Sequence, residues 1–177
     1  MVINSQRLPI TTYLGHTDRA LSFYQSDSVY FALGKTTKWD GEDSDGFIPP
    51  APDVEANGLE DVACYKKTTQ KMLVMPSESG DITYAGQRWK VITPQEAIEN
   101  RARWVYITTT MYYDEVAVTE YRQIGIYNRL QAKSGVTAQL LRPNQVEDPG
   151  LLIALNNRHR VTRQQDTRET YSVIIEF

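Results

Sequence analysis

Gly34-Lys35-Thr36 follows an apolar, strand-like run and could be the end of a phosphate-binding loop. Such a loop needs a second glycine five positions before Gly34, so that backbone amides can curl round a phosphate, and that position is Val29. A strand ending at a glycine turn accounts for the residues in full. Asp40, Glu42, Asp43 and Asp45 ahead of Gly46 have the composition of a calcium loop. With Gly46 at the sixth position, however, the first ligand falls on Gly41 and the bidentate twelfth on Pro52, and neither supplies a carboxylate. A solvated acidic turn is expected there, the alternative being a weak cation site of another kind, because clustered carboxylates repel unless neutralised. His16 and His159 are the only histidines, and neither has a companion at metal-ligand spacing. No serine sits in a Gly-x-Ser-x-Gly elbow, and thiol chemistry would require Cys64 to meet one of the histidines across the fold. No motif supplies a nucleophile with its base, so catalytic residues, cofactors and metals are not expected, nor is enzymatic activity.

One basic cluster stands out: Arg158, His159, Arg160, Arg163 and Arg168, with Gln164 and Gln165 among them. Such an arginine-rich arm could touch nucleic acid, but no aromatic side chain is interleaved to stack on bases. Asp166 and Glu169 share the arm as well. The cluster reads as a solvated arm or one that pairs with acidic partner subunits, arginine being common in protein interfaces. A formal charge of −3 argues in the same direction, against a nucleic-acid partner.

These residues have to be positioned by 177 residues, a usual size for one domain and enough to bury about 70% of the unfolded surface without a disulfide or metal. One domain over 1–177 is expected. The single Cys64 has no internal partner and reads as a small half-buried hydrophobe; with no signal-like start, the chain is expected to be made in a reducing compartment. No apolar run approaches the roughly 20 residues that cross a bilayer, so no membrane partner is expected.

Along the chain, Thr17 or Asp18 is a plausible cap for a helix through about Gln25, whose apolar face is Ala20, Leu21, Phe23 and Tyr24. Residues 29–33 form an apolar strand, 59–69 a short helical or extended piece, and 71–75 a strand ended by Pro76. Residues 82–84 and 88–92, with Ala85-Gly86 between them, predict a hairpin. Thr93-Pro94-Gln95-Glu96 carries a complete helix-start signal: a capping threonine, proline at the first helical position, and a glutamate closing a capping box. Thereafter 104–113, 121–130, 151–156 and 170–177 read as strands, the last two joined by a polar arm over 157–169. The fold class expected is mainly β with short helices (α+β), an antiparallel sandwich-like core with an N-terminal helix.

Residues 29–52 are the part of the chain least like an active-site loop. An apolar strand meets Gly34, a polar stretch leads to the lone Trp39, the acidic turn follows, and the segment ends in Gly46-Phe47-Ile48-Pro49-Pro50-Ala51-Pro52. Three prolines fix φ and withdraw backbone donors, which pre-stiffens an extended chain and leaves Trp39 and Phe47 as the side chains worth burying. That is the layout of a shaped contact surface. Eleven tyrosines against four phenylalanines agree, because tyrosine tolerates a surface that is wet before assembly and buried after it.

This order of features resembles the baseplate wedge subunit of contractile-tailed bacteriophages, the gene-product-eight family of T-even-like phages. The short helix with Thr17-Asp18-Arg19-Ala20-Leu21-Ser22-Phe23-Tyr24 precedes the strand as in that family; Tyr121-Arg122-Gln123-Ile124-Gly125-Ile126 and the closing Tyr171-Ser172-Val173-Ile174-Ile175-Glu176-Phe177 match its C-terminal part. The large wedge subunits carry an extensive insertion where this chain has only a short one, at about 59–104. The resemblance implies a structural virion protein at the tail baseplate, made in the host cytoplasm. It also implies a homodimer that holds neighbouring wedge and tail-fibre-attachment proteins together. Trp39, Phe47, Pro49, Pro50 and Pro52 carry over as the family's proline segment, and Arg158, Arg160 and Arg163 are added as interface candidates from their chemistry. The rival reading is a carbohydrate- or receptor-binding β-sandwich module of a tail fibre, with Trp39 beside Asp40 facing the sugar; a third is a minor tail-completion protein.

Overall fold

The computed structural model describes residues 8–112, 114–116, 120–164, 166 and 168–177. In chain order the elements are α1 (Tyr13–Gln25), β1 (Val29–Gly34), β2 (Cys64–Lys67), β3 (Gln70–Pro76), β4 (Ile82–Tyr84), β5 (Gln87–Val91) and α2 (Pro94–Asn100). They continue with β6 (Trp104–Met111), β7 (Glu120–Asn128), β8 (Gln131–Ala132), β9 (Leu140–Leu141), β10 (Val146–Asp148), β11 (Leu151–Thr162) and β12 (Glu169–Glu176). The fold is mainly antiparallel β with two short helices, the first N-terminal, as expected. Two compact units divide the chain. Among the described residues, one comprises 8–25, Met72–Tyr106 and Ile174–Phe177; the other Ser26–Lys71 and Ile107–Val173.

In the first unit the sheet runs in the order β12-β6-β3-β5-β4, with residues 174–176 of β12 and 104–106 of β6 belonging here. β4 and β5 are joined by Ala85 and Gly86, both at positive φ (50° and 76°), the two-residue turn whose twist matches that of the strands. Helix α2 keeps its capping box: Thr93 Oγ1 accepts from the Glu96 amide (3.2 Å), and the Glu96 carboxylate accepts from the Thr93 amide (2.8 Å). Helix α1 begins a turn before the expected cap. Thr12 Oγ1 accepts from the Gly15 amide (3.2 Å), while Thr17 is buried inside the helix with its hydroxyl on the Tyr13 carbonyl. The capping signal of Thr17-Asp18 was overridden because Ala20 and Phe23 need a helix long enough to bury them. Phe23 meets the ring of Phe177 at 5.0 Å, and Trp89 that of Trp104 at 5.9 Å.

The second unit is built on a five-stranded sheet in the order β11-β7-β1-β2-β9. β1 lies in its centre and is buried at every position, which is why residues 29–34 are apolar without alternation. Tyr30 and Ala32 join Tyr65, Tyr127, Leu130 and Leu141 on one face. On the other face Phe31 meets Tyr171 (6.4 Å) and Tyr121 meets Tyr171 (6.3 Å), a sandwich-like packing against the part of β12 that belongs to this unit. Residues 59–63 form a loop leading into β2, so the 59–69 segment is extended rather than helical. The polar arm expected over 157–169 is corrected: β11 runs on to Thr162, because pairing with β7 resumes at Val161 and Thr162 after a bulge. Along β12, Tyr171 and Ile175 are buried while Thr170, Ser172 and Glu176 are exposed.

Candidate protein interface

The second of two bulges in β11, between Asn157 and Val161, explains how the site is made. Asn157 pairs with Gln123 and Val161 with Tyr121, so Arg158, His159 and Arg160 together stand opposite Arg122 alone. A strand bulged in this way bends and exposes backbone groups that a regular ladder would use. The Arg158 carbonyl accepts the indole N–H of Trp39 at 3.1 Å. His159 and Phe47 meet in a T-shaped ring contact, centroids 6.0 Å apart. Asn157 donates through Nδ2 to the Pro50 carbonyl (3.1 Å), accepts from Gln123 Nε2 (3.0 Å), and Gln123 Oε1 in turn accepts the Glu60 amide (2.9 Å). The proline segment and the basic cluster, more than a hundred residues apart in sequence, therefore form one surface.

Arg122 holds that surface from beneath. Its side chain is fully buried, and it donates to both carboxylate oxygens of Glu42 (Nη2 to Oε1, 2.7 Å), to Glu120 (3.1 Å) and to the Thr36 carbonyl (3.1 Å). The guanidinium hydrogen bonds and charge hold the Glu42 carboxyl far below its ordinary 4.5, at about 2. Glu42 is thus not part of a solvated acidic turn: its other oxygen contact, the Trp39 amide at 3.1 Å, ties the tryptophan to the same pair. Asp40, Asp43 and Asp45 are exposed, with Asp43 paired to Lys38 at 2.7 Å. Among the described residues no group of three or more His, Cys, Asp or Glu side chains stands where it could hold a metal ion.

Of the residues singled out from sequence, Trp39, Phe47, Pro49 and Arg158 are half-buried, Pro50, Pro52 and Arg160 exposed. Arg160 lies 3.7 Å from Glu120. Arg163 is placed differently: it is 1% exposed, its Nε on Glu169 (3.0 Å) and Nη2 on the Tyr112 carbonyl (3.3 Å). Lys35 is engaged by Glu60 (2.7 Å) and lies 5.1 Å over the Trp39 ring. Burial pushes the Cys64 thiol up to about 11, which suits an inert core residue rather than a nucleophile. Sequence reading missed Arg122 as the organiser. The available signal was an arginine placed among Tyr121, Ile124, Ile126 and Tyr127, where only a charged partner makes burial tolerable.

Among the described residues no helix is long and apolar enough to cross a membrane. The sequence model of a family described as "Baseplate wedge 3 tail fiber network component" matches residues 8–177. The chain is also similar to "Virion protein 3" of Enterococcus phage phiEF24C, 31% identical over 160 residues that cover 86% of each chain.

Proposed function

Because the chain belongs to the baseplate wedge 3 tail fiber network component family of phage virion proteins, we propose that it works by contact rather than catalysis. It is a structural subunit at the baseplate of a contractile tail, made in the host cytoplasm, that joins neighbouring wedge and tail-fibre-attachment proteins. The observation that supports this reading is the single surface assembled from Trp39, Phe47, Pro49, Pro50, Pro52, Arg158 and Arg160 and fixed by the Arg122–Glu42 pair. Pre-ordering a loop before it meets a partner lowers the entropy cost of docking, the use to which a scaffold protein would put it. Trp39 has its indole N–H on protein and a lysine over its ring, which favours a packed contact over an open sugar platform.

Trp39→Ala should abolish incorporation into particles while leaving a cooperative melt. An interface anchor is worth about 2 kcal/mol or more, roughly 30-fold in affinity, whereas a half-buried tryptophan costs the fold less than the about 3 to 5 kcal/mol of a fully buried aromatic. Complementation of a phage lacking the gene, with calorimetry of the purified variant, measures both. Normal incorporation together with unchanged stability would leave Trp39 a bystander. The chain is further proposed to form a two-fold homodimer, the commonest closed assembly. Sedimentation across a concentration series should show the dimer; a strict monomer at high micromolar concentration counts against it.

A further inference from the structure

A groove of about 310 Å³ in the second unit lies between residues 152–155 of β11 and the segment around Pro52, Asp53 and Val54. Residues 152–155 include a bulge, since Leu152 pairs with Tyr127 and Ala154 with Ile126, and a cavity that touches all four lies along this bent stretch of the strand. One edge of β11 is taken by β7, and β11 is outermost in its sheet. Among the described residues no backbone hydrogen bond joins residues 151–156 to any segment other than β7. The groove is therefore an open sheet edge beside exposed Leu151 (53%) and Val54 (99%). Its charges are divided: Glu147 and Asp148, both exposed, precede the strand and Asp53 lines the wall, while Arg158 and Arg160 lie beyond its far end.

From this we propose that the outer edge of β11 accepts an extended segment of a partner protein as an added antiparallel strand, acidic at its N-terminal end and basic at its C-terminal end. An exposed edge offers a row of unpaired N–H and C=O groups to such a strand, and the antiparallel pattern matches every pairing resolved in this sheet. Antiparallel addition places the segment's N-terminus against Arg158 and Arg160 and its C-terminus against Asp53 and Asp148. A single strand suits the slot better than a second copy of the chain, whose own segment around Pro52 to Val54 would enter with its β11. The proposal rests on the reading of this protein as a scaffold, and it names how one partner is held.

The test uses the full chain and labelled synthetic peptides of alternating valine and threonine, followed by fluorescence anisotropy. One peptide carries two N-terminal glutamates and two C-terminal lysines, a second has these charges exchanged, and a third repeats the first with alternate amides N-methylated. Saturable binding of the first is expected, with the charge-exchanged peptide about five- to tenfold weaker. N-methylation should abolish binding, since it removes the ladder donors and leaves the side chains. The double variant Arg158→Glu, Arg160→Glu should narrow or reverse the preference between the two charged peptides. Equal binding of the N-methylated peptide would show apolar capture without strand addition, and absence of saturable binding by any peptide would equally overturn the proposal. Amide-exchange protection of residues 151–155 that rises with protein concentration would give the edge to a second copy, and overturn it as well. Peptide binding is read without particles, so a chain that binds the peptide yet is not needed in the baseplate would count against the scaffold reading alone.

Discussion

Deleting residues 171–177 is expected to leave a chain that is insoluble or lacks a cooperative melt. In the second unit Tyr171 is 8% exposed, its hydroxyl 3.0 Å from that of Tyr121 and its ring against Phe31. In the first unit Ile175 is 7% exposed, Phe177 packs on Phe23, its amide donates to the Arg103 carbonyl (3.0 Å), and Glu176 pairs with Arg103 at 2.6 Å. Each large apolar side chain is worth about 1.5 to 3 kcal/mol on burial, and three of them approach the roughly 5 to 15 kcal/mol that stabilises a typical domain. The deletion also strips β6 of a neighbouring strand, leaving backbone groups to find water. Near-ultraviolet circular dichroism and calorimetry would show the loss. A melt close to that of the full chain would mean that the terminal strand contributes little to either core. Removal of residues 1–5, which lie outside the described residues, is the control and should be mild.

Arg122→Met should release the segment carrying Trp39 at neutral pH, the second large effect. Methionine fills similar volume but strands Glu42 and the Thr36 carbonyl without their donors. In the intact protein the same release should be driven by acid. The Glu42 carboxyl titrates at about 2 in the fold against an ordinary 4.5, so the unfolded chain binds this proton more readily than the native one. Its contribution is complete above pH 4.5 and is lost as the pH falls from there through about 2. Hydrogen exchange over residues 36–47 should therefore show protection that fades with acid in the intact protein. In Arg122→Met the protection should be missing at neutral pH, and in Glu42→Gln it should be nearly independent of acid. Unchanged protection in Arg122→Met would mean that the loop is held by Trp39 and the Asn157–Pro50 bond alone.

Local signals carried much of this protein. The box at Thr93 and Glu96, the Ala85-Gly86 turn, the unbroken apolar run of β1 and the alternation of β12 each depend on neighbours within a few residues, and short-range rules capture such dependence. The helix, the strand–tryptophan–acidic turn–proline order after it, and the residues 121–126 and 171–177 together indicated the family. What sequence alone left undecided lies at long separation. Glu42 in an acidic run looks solvated until a buried Arg122 eighty residues away claims it, and the basic residues after Asn157 look like a free arm until their strand resumes pairing beyond the bulge. Charge burial and strand register are settled by which partners the folded chain brings together, because both trade desolvation or lost backbone bonds against contacts that local sequence does not specify. The sequence by itself determined the fold class and most of the elements; only the tertiary structure decided that Trp39, Phe47 and Pro50 meet Arg158 and His159, and that Arg163 is turned inward instead.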